Sequence, residues 1–380
     1  MKALTGADVV VPSGVLRDHA VLVHSGKIDA IVPAEDVPFD AVVHDVGGGV
    51  LAAGFIDVQV NGGGGVLFNA SPTVAGIAAI GRAHRRFGTT GFLPTLISDA
   101  FEVMDRAMRA VEAAIEAGVP GVLGIHLEGP FLCPARCGVH DSRKFRMLDE
   151  AGFSLLTSLR RGVTLVTLAP EAAPAGMIRR LVSAGVVVSL GHTDASYEQA
   201  KAALAEGATG FTHLFNAMSP LGSRAPGVVG AALESDAYCG IIVDGHHVDP
   251  AVLRLALRMR DADRFMLVSD AMPSVGAVAK DFVLQGKTIS VRDGICRDES
   301  GTLAGSDLDM ASAVRNGAGL LGLSLGRVVC MASAAPAAFL GLGDGRGCLV
   351  AGQAADLVLL DGDFGVQKTW INGAPDAVSQ

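Results

Sequence analysis

The sequence predicts an α/β protein, a (β/α)8 TIM-like barrel carrying a small β-sandwich domain built from both chain ends. Three observations carry that prediction. Eight short apolar runs alternate with Ala-rich, helix-like stretches through the middle of the chain, as strands buried on both faces of a parallel sheet do. Short β-like runs broken by Gly and Asp occupy both termini. Polar residues suited to chemistry gather at the ends of the apolar runs, where barrels of this kind keep their functional sites.

In chain order, "DVVVP", "AVLVHSGKIDAIV" and "AVVHDVGGG" give the first part of the β-domain, residues 1–52. The barrel is expected over 53–344, with strands at "GFIDVQV", "TTGFLPTL", "GVLGIHL", "VTLVTLA", "VVVSLGH", "TGFTHL", "CGIIVDG" and "RFMLVSD". In "SYEQAKAALAEGA", Ser196 is placed to cap a helix, and Tyr197, Ala200, Ala203 and Leu204 form its apolar stripe. The chain then returns to the β-domain over 345–380, through "GCLVAGQAADLVLLDGDFGVQKTWING".

Composition narrows the function. Half of the 380 residues are hydrophobic and 18% are charged, which describes a well-buried body. Thirty basic against 39 acidic residues leave a net charge of −9, which argues against a nucleic-acid partner. A local Arg/His pocket for a small anion remains open. Cysteines 133, 137, 239, 296, 330 and 348 form no CxxC pair and read as reduced thiols, Cys137 being the one an opening loop would expose. The run "VVCMASAAPAAFLGLG" is too short and too rich in Ala, Gly and Pro to span a bilayer. With no signal segment at "MKALTGADVV", a soluble cytoplasmic protein without a membrane partner is expected.

The strand ends carry Gln59 and Asn61, then His126 and Glu128, then His192 and Asp194, then His213, then Asp270. Glu128, His192 and His213 make the one-carboxylate, two-imidazole ligand set of a hydrolytic zinc centre with an open position. Asp270 is then a carboxylate free to move protons beside it. Each residue alone has a plain reading, as a helix cap or a satisfied core histidine. Their recurrence at successive strand ends favours a metal hydrolase. His126, expected on the other face of its strand, is left structural. "NGGGG" at 61–65 lacks the Lys-Ser/Thr ending and the GxGxxG spacing of nucleotide loops and reads as flexible backbone near the site.

Taken in order, "GFIDVQVNGGGG", "HLEGPFLCPARCGVHD", "SLGHTDASYEQA", "THLFNAMSPLGSRAPG", "DGHHV", "LVSDAM" and "GTLAGS" resemble the N-acetylglucosamine-6-phosphate deacetylase family of the amidohydrolase superfamily, over about residues 54 to 310. The resemblance implies hydrolysis of the N-acetyl group of N-acetyl-D-glucosamine 6-phosphate, in amino-sugar breakdown, by a homodimer holding one divalent metal ion per subunit, zinc by default. It gives Glu128, His192 and His213 to the metal and Asp270 to proton transfer as base and then acid. His140 becomes a donor to the acetyl carbonyl. Asn216, Ala217, Arg224 and His247 become contacts to the sugar phosphate, with part of the phosphate site donated across the dimer interface. His246 is expected to turn away. The matched motifs also put Val139, Asp244, Leu303, Ala304 and Gly305 at the substrate. Gln59 and Asn61 stand where much of the superfamily has H-x-H, which implies a single metal. Two other readings stay open: a dihydroorotase- or aminoacylase-like amide hydrolase without a phosphate site, and a non-catalytic sugar-phosphate-binding regulator.

Overall fold

The computed structural model describes residues 1–376. Its centre is a parallel eight-stranded sheet in chain order: Phe55–Val60, Thr89–Ile97, Gly124–Glu128, Val163–Leu168, Val187–Leu190, Gly210–Phe211, Tyr238–Ile241 and Phe265–Leu267. A parallel bridge from Val60 to Ala271 brings the last strand back to the first and closes the barrel. All eight apolar runs fall on these strands. Most of the strands are shorter than the runs, however, and His192, His213 and Asp270 lie just beyond their ends with φ of 48°, 31° and 51°. These left-handed conformations are costly for non-glycine residues and concentrate at functional sites.

The helices pack on the barrel through apolar stripes. Phe101–Glu116 buries Met104, Ala107, Met108 and Val111, the i, i+3, i+4, i+7 spacing of a single face. Tyr197–Ala205 starts at a full capping box, with Ser196 and Gln199 satisfying each other's backbone N–H, and buries Ala200 and Ala203. Phe55 is wholly buried, and a Cβ on Gly88 would stand 2.7 Å from its ring, so this strand and the turn before the next can meet only because residue 88 is glycine.

Two sheets pack face to face, the first from the N-terminal segment alone and the second from both ends of the chain. One comprises Lys2–Thr5, His19–His24, Lys27–Pro33 and Val42–Asp45. The other joins Asp8–Val11, Gly14–Leu16 and Val50–Ala53 to Leu357–Leu360, Val366–Ile371 and Ala374–Pro375. Leu4, Val9, Val21, Ile28, Leu51, Leu357 and Trp370 fill the space between them.

Two features differ from the sequence reading. Between the eighth barrel strand and helix Met310–Leu321, the chain builds an antiparallel sheet from Phe282–Leu284, Lys287–Arg292, Ile295–Arg297 and Leu303–Ser306. Its strands are short and their exposed positions mix Val283 with polar and charged residues, so it left no long apolar run to detect. The glycines at 62–65 are not slack backbone either. Gly62–Gly63 pairs with Val66–Leu67, and the Gly62 and Asn61 N–H groups both donate to the Ala271 carbonyl. A Cβ on Gly62 would meet the Val66 carbonyl at 2.4 Å, so the glycines serve close packing.

Phe55→Ala removes a fully buried ring at the first strand and is expected to destabilise the fold by about 3–5 kcal/mol. Thermal unfolding would show this as a clearly lowered midpoint, whereas an unchanged midpoint would mean the neighbouring side chains close the gap.

Candidate active site

Three side chains from three strand ends converge at the mouth of the barrel. Glu128 Oε1 lies 3.0 Å from His213 Nε2 and 3.3 Å from His192 Nε2, and the two imidazole nitrogens are 3.1 Å apart. Four ligands held about 2.0–2.1 Å from a tetrahedral ion stand roughly 3.3 Å from one another, so this triangle has the size that such an ion requires. The charges fit too. Burial raises the Glu128 carboxyl, but bonds from His192 and His213 outweigh it and hold the group well below the usual carboxylate range. Burial likewise disfavours a charged His213, yet the hydrogen bond and charge of Glu128 raise it. The cluster stabilises positive charge at its centre.

The other ring nitrogens decide which histidine can do what. His192 Nδ1 donates to the Arg136 carbonyl at 2.8 Å, which leaves the Nε2 lone pair aimed at the cluster. His140 is the reverse. Its Nδ1 accepts from the Ser98 N–H at 3.3 Å and lies 2.8 Å from Ser98 Oγ, so in the neutral ring Nε2 carries the proton. Burial, with His192 next, pushes its pKa down to about 3 and keeps it neutral. Glu128, His140 and His192 offer ligand atoms within 4.8 Å of one another, but the Nε2–H of His140 suits a donor and His213 is the better third ligand.

Asp270 sits beside this cluster, buried, with Asn61 Nδ2 donating to its Oδ1 at 2.6 Å and Gln59 Nε2 at 3.1 Å. The same Gln59 amide donates to Glu128 Oε1 at 3.1 Å. Burial first, then the Glu128 charge, pushes the Asp270 pKa up to about 6. In place of H-x-H, the chain thus sets two amides whose N–H groups hold two neighbouring carboxylates. Behind them Asp57, fully buried and pushed up to about 7 by that burial, accepts from the Ser269 hydroxyl and from the Gln59 and Ser269 N–H groups, tying the turn that carries Asp270 to the first strand.

A cavity of about 380 Å³ opens above these groups. Val139, Asn216, Ala217, His247, Leu303 and Gly305 line it together with Glu128, His140, His192, His213 and Asp270. Three further residues expected at the substrate are not among those that line this cavity. Asp244 holds His247, through Nδ1 at 2.6 Å and the His247 N–H at 2.9 Å, and so serves a neighbour. Ala304 is fully buried and packs with Ile97, Val139 and Met272, because alternate residues of its strand face opposite sides. Arg224 is exposed, outside the lining of its own chain's cavity. His246 is exposed, as expected.

His126 is structural, but for a different reason. Residues two apart on a strand share a face, so it lies beneath Glu128 inside the barrel. There Nδ1 meets Thr95 Oγ1 at 3.2 Å and Nε2 meets Thr167 Oγ1 at 2.8 Å, and Thr212 and Ser189 continue the row at 2.7 Å each. Sequence reasoning also missed Arg136, which lines the cavity, and Gln285. The latter accepts from the Asp141 N–H and donates to the Ser98 carbonyl, clipping the added sheet onto the loop that carries His140.

Two family models match the chain: "Amidohydrolase family" over residues 50–375 and "NagA composite domain" over 1–51. The chain belongs to the amidohydrolase family, enzymes acting on amide bonds. An N-acetylgalactosamine-6-phosphate deacetylase of Shewanella sp. (strain ANA-3) is 48% identical over 331 residues, 86% of this chain and 82% of that one. The crystal structure of N-acetylglucosamine-6-phosphate deacetylase from Pasteurella multocida is similar at TM-score 0.95 and 38% identity, covering 98% of this chain and 99% of that one. A mutant of the Mycobacterium smegmatis N-acetyl-D-glucosamine-6-phosphate deacetylase, in complex with N-acetyl-D-glucosamine-6-phosphate, is similar at TM-score 0.91 and 34% identity, with 98% of both chains covered.

The buried His126 predicts a pH effect on stability. Burial lowers its folded pKa to about 4, against about 6.5 when unfolded. As pH falls from 6.5 toward 4 the unfolded chain takes up the proton first, so stability is lost by up to about 1.4 kcal/mol per pH unit from this group. His126→Gln removes that titration, so the melting-point gap between wild type and variant should narrow on acidification. A constant gap would contradict the assignment.

Proposed function

We propose that this chain hydrolyses the N-acetyl group of N-acetyl-D-glucosamine 6-phosphate, giving glucosamine 6-phosphate and acetate. One observation carries the reading. Asp270, a carboxylate held by two amides and poised near pH 6, borders the Glu128–His192–His213 cluster inside a sugar-sized cavity. The family's named members and the sugar-phosphate complex of a relative support the substrate.

Glu128, His192 and His213 would hold one divalent ion, zinc by ligand type. When bound, such an ion supplies Lewis acidity and brings the ionisation of water into the neutral range. Asp270 accepts the proton of the attacking water and then delivers it to the departing nitrogen, a transfer that a carboxylate with a pKa near neutrality performs in both directions. His140 donates its Nε2–H to the acetyl oxygen as negative charge develops there. Asn216 and His247 take the sugar-phosphate end, with the His247 ring fixed by Asp244. Arg224 lies on an exposed loop beside Leu221, which is 60% exposed, and in this reading it completes the cavity of a second copy in a homodimer.

A second reading concerns the sugar. The Shewanella relative, at 48% identity, is named for the C4 epimer, so N-acetylgalactosamine 6-phosphate is the competing substrate. Acetate release measured on both epimers, with kcat/KM for each, decides between them: a higher value for the galactosamine epimer would replace the primary assignment. On the preferred epimer Asp270→Asn, which cannot accept the proton, should lose about 10²–10⁴-fold in kcat while still binding substrate. Near wild-type turnover by that variant would remove Asp270 from the chemistry.

A further inference from the structure

We propose that Arg136 is a phosphate-recognising residue of the catalytic cavity, held in place by Asp194. This rests on the sugar-phosphate reading and adds to it a cation that the chain supplies to its own site.

The single turn Pro134–Arg136 is fastened to the end of the fifth barrel strand at three points. The Cys133 N–H donates to the His192 carbonyl at 2.9 Å, His192 Nδ1 donates to the Arg136 carbonyl at 2.8 Å, and Arg136 Nε donates to Asp194 Oδ1 at 2.8 Å. One short loop therefore carries an orienting carbonyl for His192, the His140 donor and a guanidinium. Gly138, φ +56°, lets this loop pass close to the histidine, since a Cβ there would stand 3.3 Å from His192 Cε1.

The charge inventory of the cavity singles out Arg136. Its lining holds two carboxylates, Glu128 and Asp270, and imidazoles whose ring nitrogens are largely committed to the cluster or to Ser98, Arg136 and Asp244. Arg136 is the only Arg or Lys among the described lining residues, while Arg224 lies outside. The ion proposed on Glu128, His192 and His213 would offset the two carboxylates at the reacting end, so a phosphate dianion at the other end still needs a cation of its own, and a guanidinium offers two parallel N–H groups to it. Asp194 does not use up that capacity. Its Oδ1 alone takes both Nε and Nη2, each at 2.8 Å, which leaves Nη1 without a protein partner among the described residues. The Arg136 side chain is 34% exposed, so it stands at the cavity mouth, where the end of the sugar remote from the chemistry would lie.

The test compares kcat/KM of the metal-loaded enzyme on phosphorylated and unphosphorylated N-acetylhexosamine, for wild type, Arg136→Ala, Arg136→Lys and Asp194→Asn. Losing a charge-assisted bond should cost Arg136→Ala roughly 10- to 100-fold on the phosphorylated sugar, mainly in KM, and at most about twofold on the other. Arg136→Lys should recover part of the loss, and Asp194→Asn should fall between wild type and Arg136→Ala. Inorganic phosphate, titrated calorimetrically into the metal-loaded protein, should bind more weakly to Arg136→Ala than to wild type. Equal losses on both sugars, or undiminished phosphate preference in Arg136→Ala, would overturn the assignment while leaving the proposed substrate intact. A wild type indifferent to the phosphate would overturn both.

Discussion

Two carboxylates, Glu128 and Asp270, are buried at the mouth of one barrel and bridged by a single amide, Gln59. Like charges in low dielectric repel and resist ionisation, so the site exists only as far as its neighbours compensate them. For Glu128 two imidazoles do this, and the carboxyl is held ionised. For Asp270 two amide donors do less, and burial leaves it poised near neutrality. The contrast between an ionised Glu128 and an Asp270 poised near pH 6 follows from that difference in partners. Asp57 and Ser269 anchor the turn that sets the distance between them.

The scaffold supplies this arrangement by geometry that a parallel barrel gives readily. Successive strand ends lie side by side, so residues remote in sequence meet: Gln59 and Asp270 are 211 positions apart and in hydrogen-bond contact. The left-handed turns at His192, His213 and Asp270 redirect each side chain inward immediately after its strand. Beneath them the His126–Thr167–Thr212–Ser189 row satisfies the polar interior without charge, since burial keeps His126 neutral.

Much of the barrel was readable because its strands are buried on both faces and so appear as apolar runs. Glu128, His192, His213 and Asp270 were readable because each lies at or just past the end of such a run. What escaped depended on docking between segments. Arg136 is one of four cations, with Arg143, Lys144 and Arg146, in the long loop after the third strand, and nothing local says that Asp194 will hold this one at the cavity. Asp244 was expected at the substrate from its motif, and the motif does not disclose that its carboxylate holds His247. Ala304 shared a motif with Leu303 and Gly305, and only the strand's alternation separates them. The sheet over 282–306 was missed because short strands with mixed exposed residues resemble loop.

The central claim is that the Gln59 and Asn61 amides stand in for a second metal, leaving one ion on Glu128, His192 and His213. Anomalous diffraction at the zinc edge from crystals grown with excess zinc tests it most directly. The account predicts one peak per chain, within bonding distance of those three side chains, with both amides still donating to Asp270. A second peak bridging Glu128 and Asp270, with Gln59 or Asn61 turned aside or coordinating through oxygen, would contradict it.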